Sequence, residues 1–201
     1  MIIKFLRVCI MFMGMNLLLC AQELVMKQQE FNQEDEKKAF IFLKNMLNKS
    51  SLIATQDTHT EDAKNKFATI MTNAFSIPHI AKFSLGLDFK EYSAENFKKF
   101  KNTLSNYLLK IYATQEKIDV FASINIEDDD INAIPKLSQR KNRLTYNAVF
   151  KSKKGPVNTQ FVIIKVKSDD YKIFDIVVEG IGLLSNLRSQ ASVLKDLSKK
   201  A

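Results

Sequence analysis

The chain has 201 residues, of which 46% are hydrophobic, with 30 Lys and Arg against 22 Asp and Glu, a formal net charge of +8 and only two Cys. Both cysteines, Cys9 and Cys20, fall in the first 21 residues, so a disulfide scaffold and a thiolate metal site are excluded for the rest and a hydrophobic core alone must hold it. The excess of positive charge is modest and spread along the chain, which suits acidic protein surfaces or anionic headgroups before nucleic acid and equally suits an ordinary solubilising surface.

Lys4 and Arg7 flank an apolar run over 8–19 that closes on small Ala21, the pattern of a secretory signal peptide. Bulky Leu19 ahead of Cys20 disfavours a lipid-modified cysteine, so cleavage is expected after Ala21, with export of residues 22–201 as a single domain. Removing Lys4 and Arg7 from the +8 total leaves about +6 for the mature chain. No Pro- or Gly-rich stretch divides it.

Behind the cap Asn32, the apolar positions Ala39, Phe40, Leu43, Met46 and Leu47 predict an amphipathic helix over 32–48. Thr60 with Glu61 and Asp62 opens a second helix, whose Phe67, Ile70, Met71, Ala74 and Phe75 share a face. A third, short helix is expected from Pro78 to Gly86 with Ser76 as cap. Ser93 opens the clearest one: Phe97, Phe100, Leu104, Tyr107, Leu108 and Ile111 recur at helical spacing, while Lys98, Lys99, Lys101 and Lys110 fall elsewhere. Such a stripe reads as ordinary core or as the wall of a ligand site.

The period then changes. Ile118, Val120, Ala122, Ile124 and Ile126 alternate with polar residues and predict a strand interrupted only by Phe121. Leu144, Tyr146, Ala148 and Phe150 alternate likewise. The turn 153–156 leads into a strand over 157–166, and Asp169-Asp170 into one over 171–179. Strands joined by such short turns run antiparallel. Helices first and strands second define an α+β fold: a twisted antiparallel four-stranded sheet with amphipathic helices on its concave face. A closing helix over 185–199 turns Leu187, Ala191 and Leu194 inward.

Candidate chemistry is sparse. Gly180-Ile181-Gly182 lies between a strand and a helix, but the hairpin-linked strands lack the parallel context of a phosphate loop; Gly180 is expected to break the strand and Gly182 to let the last helix lie close. His59 and His79 have no partner at metal spacing and read as solvated positions; Asp57 and His59 form no triad with any Ser. The acidic run 127–130 lacks the alternating ligands of a calcium loop. No nucleophile elbow and no paired carboxylates occur, so binding is expected over catalysis, with no catalytic residue, metal or cofactor. The basic segments 136–143 and 151–154 lack the aromatic signature of RNA-binding modules.

The stretch "IFDIVVEGIGLLSNLRSQ" resembles the closing motif of the MlaC, or toluene-tolerance, family, with Phe174, Asp175, Glu179, Gly180, Leu183, Arg188, Ser189 and Gln190 at matching positions. "FSIPHIAKFSLG" resembles the family's segment of Phe, Ile and Leu-Gly, through Phe75, Ile80, Leu85 and Gly86, and a Phe-rich helix ending in Tyr107 and Tyr112 follows in both. Gly182 stands where Ser is common, and Leu187 and Ala191 replace usual aromatics.

The resemblance implies a periplasmic carrier that takes a glycerophospholipid between an outer-membrane lipoprotein complex and the MCE-domain ring of an inner-membrane ABC transporter. It also implies acyl tails in an apolar cavity between sheet and helices, with the headgroup outside. The expected wall is Phe75, Ile80, Phe83, Leu85, Phe97, Phe100, Leu104, Tyr107, Ile111, Tyr146, Ala148, Phe150, Phe161, Ile163, Ile176 and Val178, with the hydroxyls of Tyr107 and Tyr146 near its mouth. Two other readings stand beside it. One is a cone-shaped α+β enzyme for a small apolar substrate, with Asp175 aimed inward; the other is an envelope scaffold with a filled core.

Overall fold

The computed structural model describes residues 31–56, 60–122, 131–137, 142–152 and 155–200. The leader with Cys9 and Cys20, together with Asp57, His59, the acidic run 127–130, Lys153 and Lys154, lies outside them.

Helix α1, Gln33–Gln56, starts at a reciprocal cap: Asn32 Oδ1 accepts from the Asp35 amide at 2.9 Å and Asp35 Oδ2 accepts from the Asn32 amide at 3.0 Å. It runs past the expected end at residue 48, since Ser50 and Ala54 continue its buried face. Helix α2, Glu61–Ala74, is capped by Thr60, whose side chain accepts from the Ala63 amide. Helix α3, Ile77–Leu85, ends at Gly86, whose φ of +60° suits a residue without Cβ. A 3₁₀ turn, Gly86–Glu91, leads to α4, Ala94–Tyr112, which Ser93 caps through the Asn96 amide.

The strand expected from residue 118 is not formed; helix α5, Gln115–Ala122, occupies its first half and the rest lies outside the described residues. The alternation of Ile118, Val120 and Ala122 mimics a strand, but Ile118 and Phe121, three apart, are the residues buried, at 1% and 6% exposure, so the helical period wins.

The sheet instead begins at β1, Ile131–Leu137, followed by β2, Leu144–Ser152, β3, Gly155–Lys167, and β4, Asp170–Val178, with a two-residue β5, Ile181–Gly182. Neighbours pair antiparallel in the order β1-β2-β3-β4-β5. Pro135 is tolerated in β1 because that strand is an edge and its register shifts between Asn132 and Lys136. Two helices close the chain rather than one: α6, Leu183–Ser189, and α7, Ala191–Lys200, broken at Gln190.

On β2, Leu144, Tyr146, Ala148 and Phe150 are buried while Asn147 and Val149 are exposed, so one face of the sheet meets the helices. Rings of α1, α3 and α5 touch it, in the pairs Phe40–Tyr146, Phe83–Phe174 and Phe121–Phe150. Helix α2 packs on α1, and α4 packs on α2, α3 and α7. The class is α+β, as the order of elements predicts.

A polar cluster fixes the first turn of α1 to the end of the sheet where β3 turns into β4. Asp35, 4% exposed, accepts from Lys165 Nζ and from the Tyr171 hydroxyl, each at 2.7 Å, and Tyr146 donates to the Glu36 carbonyl at 2.7 Å. Lys38 reaches Asp169, which turns at a φ of +58°. Burial pushes the Asp35 carboxyl up, but the bonds from Lys165, the Asn32 amide and Tyr171 outweigh it and hold it below the usual carboxylate range.

Candidate functional site

The Gly-Ile-Gly turn holds a carboxylate of its own chain. Glu179 and Gly180, at φ of +48° and +81°, form the two-residue turn between β4 and β5, where Val178 pairs with Ile181. Glu179 tolerates its left-handed backbone because it is tied to β3: its amide donates to the Asn158 carbonyl and its carboxylate accepts from the Asn158 amide. The hairpin returns the chain so that Asp175 Oδ1 accepts from the Leu184 amide at 3.0 Å, capping α6. A Cβ on Gly182 would stand 3.0 Å from Asp175 Oδ2, so the glycine makes room for the cap. Burial raises the Asp175 carboxyl, opposed by the amides of Leu184, Ile176 and Leu183 and by Arg143.

Arg188 joins the two motif segments. Its guanidinium lies 5.7 Å from the centre of the Phe83 ring and would meet a Cβ on Gly86 at 3.2 Å. Phe83 meets Phe174 edge-on at 5.9 Å, and Arg143 stacks 4.4 Å over Phe174. Phe174, Asp175, Glu179, Gly180 and Arg188 thus build the junction of β4, α6 and the end of α3. This arrangement counts against a cone-shaped enzyme, because Asp175 is committed to backbone amides.

The predicted wall residues fall in two tiers. Phe75, Ile80, Leu85, Phe100, Leu104, Tyr146, Ala148, Phe150, Phe161, Ile163 and Ile176 are buried, while Phe83, Phe97, Tyr107 and Ile111 are partly buried against the same core. Phe97 and Phe100 meet Phe89 and Tyr92, and Tyr112 at the end of the same helix meets Phe75. Val178 is 38% exposed, at the sheet's end. Phe100, Leu104, Leu108, Tyr146, Phe161 and Ile163 have 0% exposure, so no water-sized void adjoins them and the layers close on one another there.

Neither tyrosine hydroxyl stands ready for a ligand. Tyr146 is bonded to Glu36, and Tyr107 donates to Gln190 Oε1 at 2.6 Å, tying α4 to the corner between α6 and α7. His79, expected in solvent, is 9% exposed instead, with Nδ1 2.6 Å from Ser76 Oγ. Burial, with Lys82 nearby, lowers its pKa. Ser76 spends its hydroxyl there and makes no side-chain bond to the helix end. Two features had no sequence signal: the α1 latch on Asp35, and an open groove of about 400 Å³ lined by Lys38, Ile41, Phe42, Asn45, Asp169, Asp170, Tyr171 and Lys172. That groove shares no residue with the predicted wall. Among the described residues no group of His, Cys, Asp and Glu is placed to hold a metal ion, and no helix is long and apolar enough to cross a membrane.

A sheet covered on one face by helices, with its polar motif residues spent on structure and an apolar layer between, defines an α+β module built around apolar surface. The family profile described as MlaC protein matches residues 44–196. The chain belongs to the MlaC family. The fold is similar to that of the phospholipid-binding protein from Ralstonia solanacearum, solved in complex with a phospholipid, with a TM-score of 0.61 and 11% identity over 80% of this chain and 94% of that chain. No curated protein matches the chain.

Proposed function

We propose that this protein is a phospholipid carrier of the periplasm, exported by its first 21 residues and working as the single domain 22–201, and that it is not an enzyme. The observation that carries the reading is the burial of most of the predicted wall residues, from α3, α4, the residue that follows α2 and three strands, in one apolar layer of a chain of the MlaC family. The phospholipid held by the Ralstonia protein of similar fold supports it.

The physics gives the fold a task. Two acyl tails have on the order of thirty methylenes at about 0.8 kcal/mol each, so an unescorted lipid meets a barrier on the order of 20 kcal/mol in water. A carrier hides them in apolar surface. Because the wall residues close on one another, tails enter by parting the helices from the sheet, exchanging side-chain contacts for tail contacts at little net cost in buried area.

In this reading the protein receives lipid at one membrane and yields it at the other, between an outer-membrane lipoprotein complex and an inner-membrane MCE-domain ring of an ABC transporter. Partners drive release by binding the open form better. The basic segments 136–143 and 151–154 dock on acidic partner surfaces, so Lys153→Glu with Lys154→Glu slows delivery while the purified protein keeps its lipid. An emptied variant would overturn that assignment.

Native mass spectrometry of the purified protein tests the whole: the expected result is a mass matching protein plus phospholipid, confirmed by lipid extraction. Phe100→Asp, checked for folding by circular dichroism, is expected to lose that lipid. A folded Phe100→Asp protein that retains it would remove α4 from the wall, and a wild-type protein that acquires no lipid from vesicles would overturn the function.

A further inference from the structure

The Lys165 end of the helix-facing side is held by paired polar groups, and toward the β2–β3 turn the described rows of β2, β3 and β4 are apolar except at Thr159. Tyr146, Phe161 and Ile176 form one row across β2, β3 and β4; Ala148, Thr159 and Val178 form the next row toward the β2–β3 turn. Thr159 is 2% exposed and sits between exposed Asn158 and Gln160, so its side chain shares the buried face with Phe161 and Ile163. Its Oγ1 is buried and has no hydrogen-bond partner. Leaving such a donor unsatisfied is unfavourable, and a Val there would fill almost the same space without that cost.

The position gives the hydroxyl a use. Beyond it in the same row Val178 is 38% exposed, and Ile181, paired with Val178, is 71% exposed, whereas one row deeper Tyr146 and Phe161 are 0% exposed. The hydroxyl therefore lies beside the solvent-facing β4 end of its row, with buried Ala148 and Phe150 on its β2 side. A diacyl lipid with its tails inward presents at that depth the carbonyls of its ester linkages, which accept hydrogen bonds and carry no charge. We propose that Thr159 donates a hydrogen bond to an ester carbonyl of the bound lipid and so fixes how deep the tails sit. This rests on the phospholipid reading above. The closed form carries an unpaired donor that the loaded form satisfies, so the hydroxyl favours loading over closure.

The test compares two lipids and three proteins. Wild type, Thr159→Val and Thr159→Ser are each titrated with phosphatidylglycerol bearing ester-linked oleoyl chains and with its ether-linked analogue, which lacks the carbonyls. Binding is read by native mass spectrometry, and lipid-free stability by thermal unfolding. Thr159→Val is expected to weaken the ester lipid about fivefold to tenfold and leave the ether lipid unchanged, with Thr159→Ser close to wild type and the lipid-free Val variant at least as stable as wild type. An equal effect of Thr159→Val on both lipids, or none on either, overturns the role of Thr159 while leaving the carrier standing. Failure of wild type to bind either lipid overturns the carrier reading itself.

Discussion

The two ends of the sheet are closed by different physics. Where β3 turns into β4, the first turn of α1 is held by directional bonds: Asp35 to Lys165 and Tyr171, Lys38 to Asp169, and Tyr146 to Glu36. Toward the β2–β3 turn, Phe121 of α5 rests on Phe150 and Phe67, and the sheet runs out in exposed Val178 and Ile181. An aromatic pair is worth about 0.5–1.5 kcal/mol beyond its buried area, and a lipid tail restores that area. Breaking a buried ion pair on one side costs about 3–5 kcal/mol, and no tail replaces it. If the helices part to admit tails, as proposed above, the magnitudes favour a hinge at the α1 latch and an opening at the aromatic end beside Thr159.

The strongest way to break this contrast is to remove the latch. In Asp35→Ala the ammonium of Lys165, whose side chain is 12% exposed, and the Tyr171 hydroxyl lose their acceptor. Urea unfolding is expected to show a loss on the order of 3 kcal/mol. Lipid retention is expected to fall with it if α1 is the hinge of the proposed carrier. A loss below about 1 kcal/mol would place the latch among ordinary surface ion pairs and remove the distinction between the ends.

A smaller effect is expected at the other end. Gly180→Ala forces a side chain into the φ of +81° at the β4–β5 turn, at about 1–2 kcal/mol. No heavy atom lies within 4 Å of a Cβ placed there, so the cost is conformational and the Asp175 cap survives. Urea unfolding should shift in midpoint with unchanged slope. Wild-type stability in this variant would mean that the turn relaxes freely, and the apolar end would then be softer still.

How much of this was readable in the residues varies with how local the cause is. The starts of α1, α2 and α4 were legible because cap and stripe lie within a few residues of each other, as with Ser93 and the line from Phe97 to Ile111, whereas the end of α1 and the cap expected at Ser76 were not. Helix α5 was misread because eight residues carry both periods, and the decisive sign, Phe121 three after Ile118, looked like an interruption. Strand β1 was hidden by Pro135 and Lys136, which an edge position permits. The motif residues were recognisable only through the family, since the purpose of Gly182 is a carboxylate that a hairpin brings back from β4. Asp35 had no signal beyond a helix start; its partners come from the far end of the chain.

The smallest predicted effect uses acid to set buried Asp35 against half-buried Asp175. Asp35 is held below the usual carboxylate range, so the unfolded chain takes up its proton first; its contribution is complete above that range and is lost as pH falls through the folded value. Asp175 is raised by burial, so the folded chain holds its proton more tightly; its ionisation costs stability as pH rises through the folded value, and that cost disappears in acid. The two slopes have opposite signs, Asp35's lying below the ordinary carboxylate value and Asp175's above it. Urea midpoints taken from about pH 3 to pH 6 should fall less steeply toward acid in Asp35→Asn than in wild type, and more steeply in Asp175→Asn, whose amide oxygen can still accept from Leu184. Parallel curves for all three proteins would show that neither carboxylate titrates differently on folding, and the α1 latch would then owe its strength to geometry alone.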